Sequence, residues 1–467
     1  MKMRKYTYGT LIALGGFALI ALCAAPAKAQ AAQSAQPAQG AQQQKPAYTM
    51  PEYNAFTACQ QEKDPNQQVK CLDDFVSRFP NSTLMPFVYQ LQYPAYQKLQ
   101  NWQKVVEVTD KLVALDSAEV GTRAQAAIAR LQAFQQLYKP ADSNAQDELT
   151  KDRDLALKIP TMLSQIPTPQ GKTPDQMKQA LAPAIDLVDD QAGWASLQLK
   201  DYPGAVSAYK SALQAKPEDA AASYELGTAY LALNPPQTLD GFWAIARAIS
   251  LKVPQTDQVK QYLRSRILAY EQPGCDSQVD QQMNQMLQLA QNSPDRPSTF
   301  TIPSAADLSQ IRSGSTILTI ISDLSAGGDK ATTTWLATCG SELSAVSGKV
   351  IDAQQGDGVV DFMVFTGATS DEMQAATTAN MDVKVYTAAP ATPPAAPAAG
   401  GTAPQITPQP DVARIQKNDP ISFSGTIVSY DPSPFLLHWD DVKVDPTSIP
   451  AAEKEKAAPG RRTAPKK

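Results

Sequence analysis

Few residues in this sequence have a type and spacing suited to catalysis. The single histidine, His438, lies in a strand-like run beside Trp439. One histidine rules out an H-E-x-x-H metal site and leaves no second ring for most catalytic triads. A Gly-Lys-Thr run at 171–173 resembles the end of a phosphate-binding loop, but the upstream glycine that such a loop requires would fall at Ile166. We therefore predict no catalytic residue, no cofactor and no metal, and we interpret His438 as a packing or surface residue.

Two pairs of adjacent aspartates, Asp189–Asp190 and Asp440–Asp441, are the other candidates for catalysis, as paired carboxylates. Neighbouring side chains lie about 100° apart on a helix and on opposite faces of a strand, so neither pair converges on one substrate atom. We interpret both pairs as solvated charge. The sequence therefore predicts a protein that is not an enzyme.

The cysteines bear on the compartment rather than on catalysis. Four of the five lie beyond residue 29, at Cys59, Cys71, Cys275 and Cys339. An even number permits disulfides in an exported protein, but spacing alone leaves the pairing open. Since the sequence has no C-x-x-C, we expect neither a zinc site nor a thioredoxin-like centre.

The first 29 residues predict export. A basic start precedes an apolar run at 10–25 and an A-x-A cleavage site at 27–29, which is the pattern of a signal peptide. The run is about 16 residues long, short of the roughly 20 that cross a bilayer, so we expect no integral membrane span. We expect a periplasmic protein, with secretion or a lipid anchor in the envelope as alternatives. Cys23 could carry the lipid, although Leu22 stands where a small residue is required.

The charge of the chain argues against nucleic acid as a partner. There are 41 Lys+Arg and 46 Asp+Glu, and the formal net charge of −5 becomes −9 without the four basic residues of the predicted signal peptide. Basic residues concentrate only in the Ala/Pro-rich tail. Nucleic-acid binding needs a basic surface, so we expect none here.

Composition and hydrophobic spacing divide the chain into segments. Helical spacing runs through 51–292, except for a looser stretch at 141–174 that we expect to connect two helical blocks. Strand-like runs follow at 346–353, 358–366, 381–386, 421–430 and 435–444. The expected segments are a signal peptide (1–29), an Ala/Gln-rich disordered leader (30–50), helical repeats (51–292), connecting helices (303–344), a small β domain (345–446) with a Pro/Ala-rich insert (387–410), and a disordered tail (447–467).

A 34-residue period marks the centre of the helical region. Gly193 and Gly227 are 34 residues apart, and so are Ser196 and Tyr230. A period of this size is typical of helical hairpins that stack and share a core. Small residues suit the places where helices approach closely, and larger ones fill the spaces between. The expected packing residues are Gly193, Tyr202, Ala205, Tyr209, Ala212, Pro217, Leu226, Gly227 and Tyr230.

These residues resemble the tetratricopeptide repeat (TPR), most clearly over 186–253. The segments 56–80 and 87–117 resemble degenerate repeats, and Pro94 and the turn at 234–237 depart from the pattern. The resemblance implies a solenoid that binds a protein or peptide along a groove, without catalysis, but it does not identify the residues that line the groove. It also implies that Cys59 and Cys71 lie on the facing helices of the first hairpin, where a disulfide would staple the terminal repeat.

The C-terminal strands suit a small antiparallel barrel or sandwich. Residues 347–351 and 419–427 weakly resemble an opening and a late strand of the OB-fold modules of bacterial envelope proteins, and an unrelated small β domain is the alternative. The predicted fold is therefore mainly α, a TPR-like helical-hairpin solenoid with a small C-terminal antiparallel β domain. The first functional hypothesis is a non-enzymatic periplasmic scaffold or adaptor. The alternative is an envelope protein whose β domain binds a ligand while the repeats dock or dimerise.

Overall fold

The computed structural model describes residues 48–389 and 407–451. The predicted signal peptide, residues 30–47 of the leader, 390–406 of the insert and 452–467 of the tail lie outside these ranges. The chain divides into two compact units. Unit 1 runs to Thr256 and includes Ala290–Arg296, whereas unit 2 takes in Asp257–Leu289 and continues from Pro297. No helix within the described ranges is both long enough and apolar enough to span a bilayer.

Unit 1 is an array of helices joined by short connections. Each helix packs against the next one in sequence, and α3, α5, α7 and α9 also contact one another in that order. These four helices therefore form one layer of the array, which we call the first-helix layer. The helices are α1 (Met50–Gln61), α2 (Pro65–Arg78), α3 (Met85–Lys98), α4 (Trp102–Ala114), α5 (Val120–Leu137), α6 (Ala145–Ser164), α7 (Pro174–Gln198), α8 (Tyr202–Ala215), α9 (Ala220–Ala232) and α10 (Thr238–Ser250).

Aspartates fix where the helices of the best-matching repeat begin. Asp201 accepts a hydrogen bond from the backbone N–H of Gly204 at 3.1 Å and so caps α8. Asp219 accepts hydrogen bonds from the N–H groups of Ala221 and Ala222 at 2.9 and 3.0 Å and caps α9. A helix start leaves such donors without intrahelical partners, and a short acidic side chain satisfies them. The turns on either side of α8 are therefore sharply defined.

Three prolines lie inside helices of unit 1. Pro94 is within α3, Pro160 is within α6 and Pro183 is within α7. The expectation of a looser connection at 141–174 is wrong over Ala145–Ser164, which forms α6. An internal proline costs about 3 kcal/mol. Burial of Leu149 and Ile159 on the apolar face of α6 offsets that cost, so the helix continues through its proline.

Unit 2 carries a second set of helices ahead of its strands. They are α11 (Thr256–Glu271) and α12 (Val279–Asn292), which belong mostly to unit 2, followed by α13 (Ala305–Gly314), α14 (Ile317–Ala326) and α15 (Gly328–Thr338). Cys275, after α11, forms a disulfide with Cys339 at the end of α15, a pairing that the sequence left open. The two backbones touch beside it, because a Cβ on Gly274 would lie 1.8 Å from the carbonyl oxygen of Cys339. Only glycine fits at that position.

Five strands of unit 2 close into a barrel in the order β1-β2-β3-β5-β4. The strands are β1 (Glu342–Gly356), β2 (Val359–Phe365), β3 (Met381–Tyr386), β4 (Pro420–Pro432) and β5 (Phe435–Val444), with a short helix α16 (Ser370–Ala375) between β2 and β3. Four pairings are antiparallel, whereas β3 and β5 pair in parallel. The prediction of an antiparallel domain is therefore wrong for the pairing of β3 with β5. An odd number of strands cannot alternate direction all the way around a closed ring.

Alternate residues of the strands fill the barrel. The largest fully buried side chains there are Phe362, Phe423 and Trp439, and the rings of Phe423 and Trp439 meet edge to face with centroids 5.1 Å apart. This alternation follows from the two-residue period of a strand. The prediction of a mainly α fold with helical hairpins and a small C-terminal β barrel is confirmed.

Candidate functional site

The predicted packing residues of the 34-residue pattern come together between α7, α8 and α9. Gly193 on α7 faces the ring of Tyr209 on α8 so closely that an added Cβ would lie 2.8 Å from the ring. Tyr209 shares one buried cluster with Ala205, Leu226 and Tyr230. The aromatic ring of one helix therefore fills the space that the glycine of its neighbour leaves open.

A second glycine brings α9 and α10 into backbone contact. An added Cβ on Gly227 would lie 2.6 Å from Cγ1 of Ile245 and 2.8 Å from the carbonyl oxygen of Gly241. Among the remaining predicted residues, Ala212 is buried, Tyr202 is partly buried and Pro217 is exposed in the turn after α8. The pattern of small and aromatic residues thus builds the shape of the array, and the binding chemistry must come from other side chains.

The N-terminal hairpin of the array carries a disulfide between Cys59 on α1 and Cys71 on α2, with Cα atoms 5.4 Å apart. Cys59 is almost fully buried beside Leu72 and Phe75. The bond joins the two helices of the first hairpin, which packs against the rest of unit 1 through α3. A crosslink there limits fraying of the terminal hairpin.

A group of carboxylates lies beside the packing residues of the same repeat. Asp186 and Asp190 are one turn apart on α7, Asp219 is the N-cap of α9, and Glu225 follows on α9. Lys216 lies in the turn between α8 and α9. We call Asp186, Asp190, Asp219 and Glu225 the acidic cluster. It belongs to the first-helix layer, because α7 and α9 are both members of that layer.

Lys216 neutralises only part of this charge. Its Nζ lies 2.5 Å from Oδ2 of Asp219 and 3.7 Å from Oδ2 of Asp186. The other oxygen of Asp186, Oδ1, is buried and receives no hydrogen bond from any described residue. Two of the four carboxylates, Asp219 and Asp186, therefore share one lysine, which is itself more than half exposed.

Burial raises the pKa of three members of the acidic cluster, whereas in Asp219 burial is outweighed by the hydrogen bonds and the charge of Lys216, and the pKa is lowered. Burial, followed by repulsion from Asp219, Asp186 and Glu225, raises the pKa of Asp190 to about 8. Burial and the charge of Asp219 raise the pKa of Asp186 to about 6, although Lys216 opposes this. Burial also raises the pKa of Glu225. The cluster is therefore incompletely ionised at neutral pH and gains negative charge as the pH rises.

The interpretation of Asp189–Asp190 as solvated charge is wrong. Asp189 is 6% exposed and accepts a hydrogen bond from the hydroxyl of Ser211 at 2.5 Å, and Asp190 is partly buried in the acidic cluster. The sequence could have predicted the burial of Asp189 and Asp190, because the two aspartates precede Gly193 by four and three residues. Residues at that spacing share a helix face, and this face is the one against which α8 packs.

A second set of carboxylates in unit 1 surrounds one buried arginine. Arg130 on α5 lies 2.8 Å from Asp152 of α6, 3.2 Å from Asp110 of α4 and 3.6 Å from Glu148 of α6. Asp152 is fully buried and also accepts a hydrogen bond from the amide of Gln191 at 2.7 Å. We call these five residues the Arg130 network. Burial still raises the pKa of Asp152 to about 7, against the opposing effect of Arg130 and Gln191.

Within residues 48–389 and 407–451, no group of three or more His, Cys, Asp and Glu is arranged to hold a metal ion. His438 lies on the surface of the barrel between two aspartates, Asp382 and Asp431.

No protein-family model matches this sequence, and no curated protein matches it. One solved structure to which the chain is similar is described as the TPR2AB-domain:pHSP90-complex of yeast Sti1. The two are 13% identical, the match covers 51% of this chain and 95% of that chain, and the TM-score is 0.17. A TM-score this low supports no conclusion about the fold or the partners of this chain.

Proposed function

We propose that this protein is a non-enzymatic, exported scaffold whose helical array binds a protein or peptide partner. We further propose that the partner places a lysine, an arginine or an amino terminus against the acidic cluster. The proposal is supported by four carboxylates of the first-helix layer beside one exposed lysine, which contacts two of them, Asp219 and Asp186. A cation from a partner would add positive charge beside these carboxylates.

Burial makes such a contact selective. A partly buried carboxylate with a raised pKa gains more from a nearby cation than an exposed one does, because water screens it less. Binding of a cation favours the ionised form of Asp190, so binding should release a proton and strengthen as the pH rises towards 8. Exposed acidic pairs elsewhere in the array lack this coupling.

The two disulfides of the described residues support export, because disulfides persist in oxidising compartments. The test of location is fractionation of the full chain and of a variant lacking residues 2–29. A full chain that remains in the cytoplasmic fraction with reduced cysteines would contradict export.

Binding is tested by selection from a displayed library of random twelve-residue peptides, with the full exported chain as target. Enriched peptides are then measured by calorimetry against the wild type and against Asp186→Asn/Asp190→Asn. We expect enrichment of lysine and arginine, and a loss of about tenfold or more in affinity for the variant, since each lost close ion pair contributes ~1 kcal/mol or more.

The matched control is Asp142→Asn/Asp147→Asn, which removes the same charge from exposed positions before and at the start of α6. It should change the affinity less than about twofold, because exposed charges are screened. Absence of basic residues among the enriched peptides, or equal losses in both double variants, would overturn the proposal.

A second candidate function is ligand binding by the barrel. The observation in its favour is a set of charged side chains on adjacent strands: Asp361 on β2, Asp382 and Lys384 on β3, and Asp440 on β5. A five-stranded barrel with an insert between β3 and β4 also supports the OB-like comparison. Peptides whose binding is insensitive to the acidic-cluster variant but lost in Asp382→Asn/Asp440→Asn would favour this candidate.

A further inference from the structure

His438 lies at the shortest pairing of the barrel. β3 and β5 pair over only three residues of each strand, with Asp382 directly opposite His438. On its other side β5 pairs with β4, where Ser429 is the register partner of His438. Asp431 follows two residues later on β4, so it projects from the same face of the sheet. One side chain of β5 can therefore reach the strands on both sides.

The contacts of the ring use both of its nitrogens. Nδ1 of His438 lies 2.9 Å from Oδ2 of Asp382, and Nε2 lies 3.1 Å from Oδ2 of Asp431. An ionised carboxylate only accepts hydrogen bonds, whereas neutral imidazole has a single N–H to donate. Both contacts are hydrogen bonds at the same time only when the ring is the doubly protonated imidazolium.

We propose that His438 is a pH-operated clip, which as the imidazolium joins β3, β4 and β5 and on deprotonation releases Asp431 and loosens the tip of the β4–β5 hairpin. Deprotonation breaks the hydrogen bond to Asp431 rather than the one to Asp382, because the side chain of Asp431 is 64% exposed whereas that of Asp382 is 30% exposed. A carboxylate facing water regains its solvation at little cost. Neutral His438 keeps its N–H on Nδ1 and its bond to Asp382.

The loosened segment has a defined limit. Tyr430, immediately before Asp431, packs edge-on against Trp335 of α15 with ring centroids 5.0 Å apart. That contact does not depend on ionisation, so β4 stays in place up to Tyr430. The segment that gains mobility is therefore the tip at 431–435.

Two charged groups contact the ring of His438, and both favour the imidazolium. The other charged groups nearby, on β2, β3 and β5, act at longer range. Asp382 of β3 and Asp431 of β4 contact the ring directly. Asp361 of β2 lies close enough to Asp382 for their charges to repel, which with burial raises the pKa of Asp361, and Lys384 of β3 opposes that rise. Asp440 is two residues from His438 on β5 and on the same face.

Burial of the ring acts to lower the pKa of His438, but hydrogen bonds and charges of Asp382 and Asp431 outweigh it, and the net pKa is raised above the ordinary 6.5. A histidine whose pKa is raised on folding stabilises the folded protein fully below its unfolded pKa. This contribution is lost as the pH rises through the folded pKa. The clip is therefore closed below the ordinary imidazole pKa of 6.5 and opens as the pH rises through the raised pKa of His438.

The presence of one histidine in the chain makes the test direct. The full protein labelled with ¹⁵N-histidine is titrated by NMR, and hydrogen exchange of the peptide spanning 431–438 is measured at pH 6 and pH 8, corrected for the intrinsic rate. We expect a midpoint above 6.5, imidazolium shifts for both nitrogens below it, and roughly threefold or greater loss of protection at pH 8.

Asp431→Asn should lower the midpoint by about half a pH unit or more and remove the difference in protection. The control Asp357→Asn removes the same charge from the exposed turn between β1 and β2 and should leave both unchanged. His438→Gln should also abolish the difference in exchange protection between pH 6 and pH 8. If the His438→Gln protein does not fold, Asp431→Asn alone provides the test. A wild-type midpoint at or below 6.5, or a difference in protection that persists in Asp431→Asn, would overturn the clip.

Discussion

Buried and half-buried carboxylates meet different partners in the helical array and in the barrel. In the array, burial and repulsion from Asp219, Asp186 and Glu225 raise the pKa of Asp190 to about 8. In the barrel, two aspartates share one histidine, and it is the histidine whose pKa is raised. A rise in pH therefore adds negative charge to the array and removes positive charge from the barrel. Carboxylates are therefore proposed to receive a cation from a partner in unit 1, and to hold the imidazolium of His438 in unit 2.

The Arg130 network and the acidic cluster differ in the burial of their cation. Both sets lie in unit 1 and both include partly or fully buried aspartates. Arg130 is buried and lies within 4 Å of three carboxylates, whereas Lys216 is more than half exposed and lies within 4 Å of two. Removal of charge from each set tests whether this difference matters.

The largest effect is expected from Arg130→Met. It leaves Asp152 buried without its cation, and breaking such a pair costs about 3–5 kcal/mol of unfolding free energy. Denaturation at pH 8 measures it, and exchange protection of α6 locates it. Since the pKa of Asp152 is already about 7, the loss should shrink at pH 5, where the carboxyl is protonated.

The control for that variant is Arg78→Met, which breaks an exposed i, i+4 pair with Asp74 on α2. It should cost about 0.5 kcal/mol or less at either pH. If the two arginine variants lose equal stability, the contrast between a buried network and a surface pair is wrong.

A smaller effect of opposite sign is expected from Asp190→Asn. The unfolded protein deprotonates an aspartate near pH 4, whereas the folded pKa of Asp190 is about 8, so ionisation of Asp190 destabilises the folded state between those values. Removal of the ionisable group should stabilise unit 1 more at pH 8 than at pH 5, because the cost of ionising Asp190 accumulates as the pH rises from about 4 to about 8. Chemical denaturation at the two pH values provides the measurement. A loss of stability at pH 8 would mean that Asp190 already has a partner.

The smallest effect is expected from Lys216→Met. The side chain is exposed, so the loss of its contacts with Asp219 and Asp186 should cost about 0.5 kcal/mol at pH 8. The more telling readout is the carboxyl titration of Asp186 by NMR, since its pKa of about 6 includes a lowering by Lys216. The titration midpoint should move upwards in the variant. An unchanged midpoint would show that Lys216 does not act on the acidic cluster.

The sequence predicted the shape of the repeat better than its chemistry. Glycine spacing identified the close approach of Gly193 to Tyr209, because local periodicity carries packing information. It could not identify the acidic cluster, since Asp186 and Asp219 are separated along the chain and meet only when α7 and α9 pack. The disulfide between Cys275 and Cys339 and the parallel pairing of β3 with β5 depend likewise on tertiary topology. His438 was placed on a strand, but its two aspartates come from other strands.

If the acidic cluster receives a positively charged group of a partner, binding releases protons, and this release can be measured. A lysine- or arginine-containing peptide from the selection is titrated calorimetrically into the wild type at pH 7 in two buffers of different ionisation enthalpy. We predict release of up to about one proton at pH 7, mainly from Asp190, because Asp186 with a pKa of about 6 is already largely ionised there, and an affinity roughly tenfold higher at pH 8 than at pH 6. Binding without proton release, and with the same affinity in Asp186→Asn/Asp190→Asn, would contradict it.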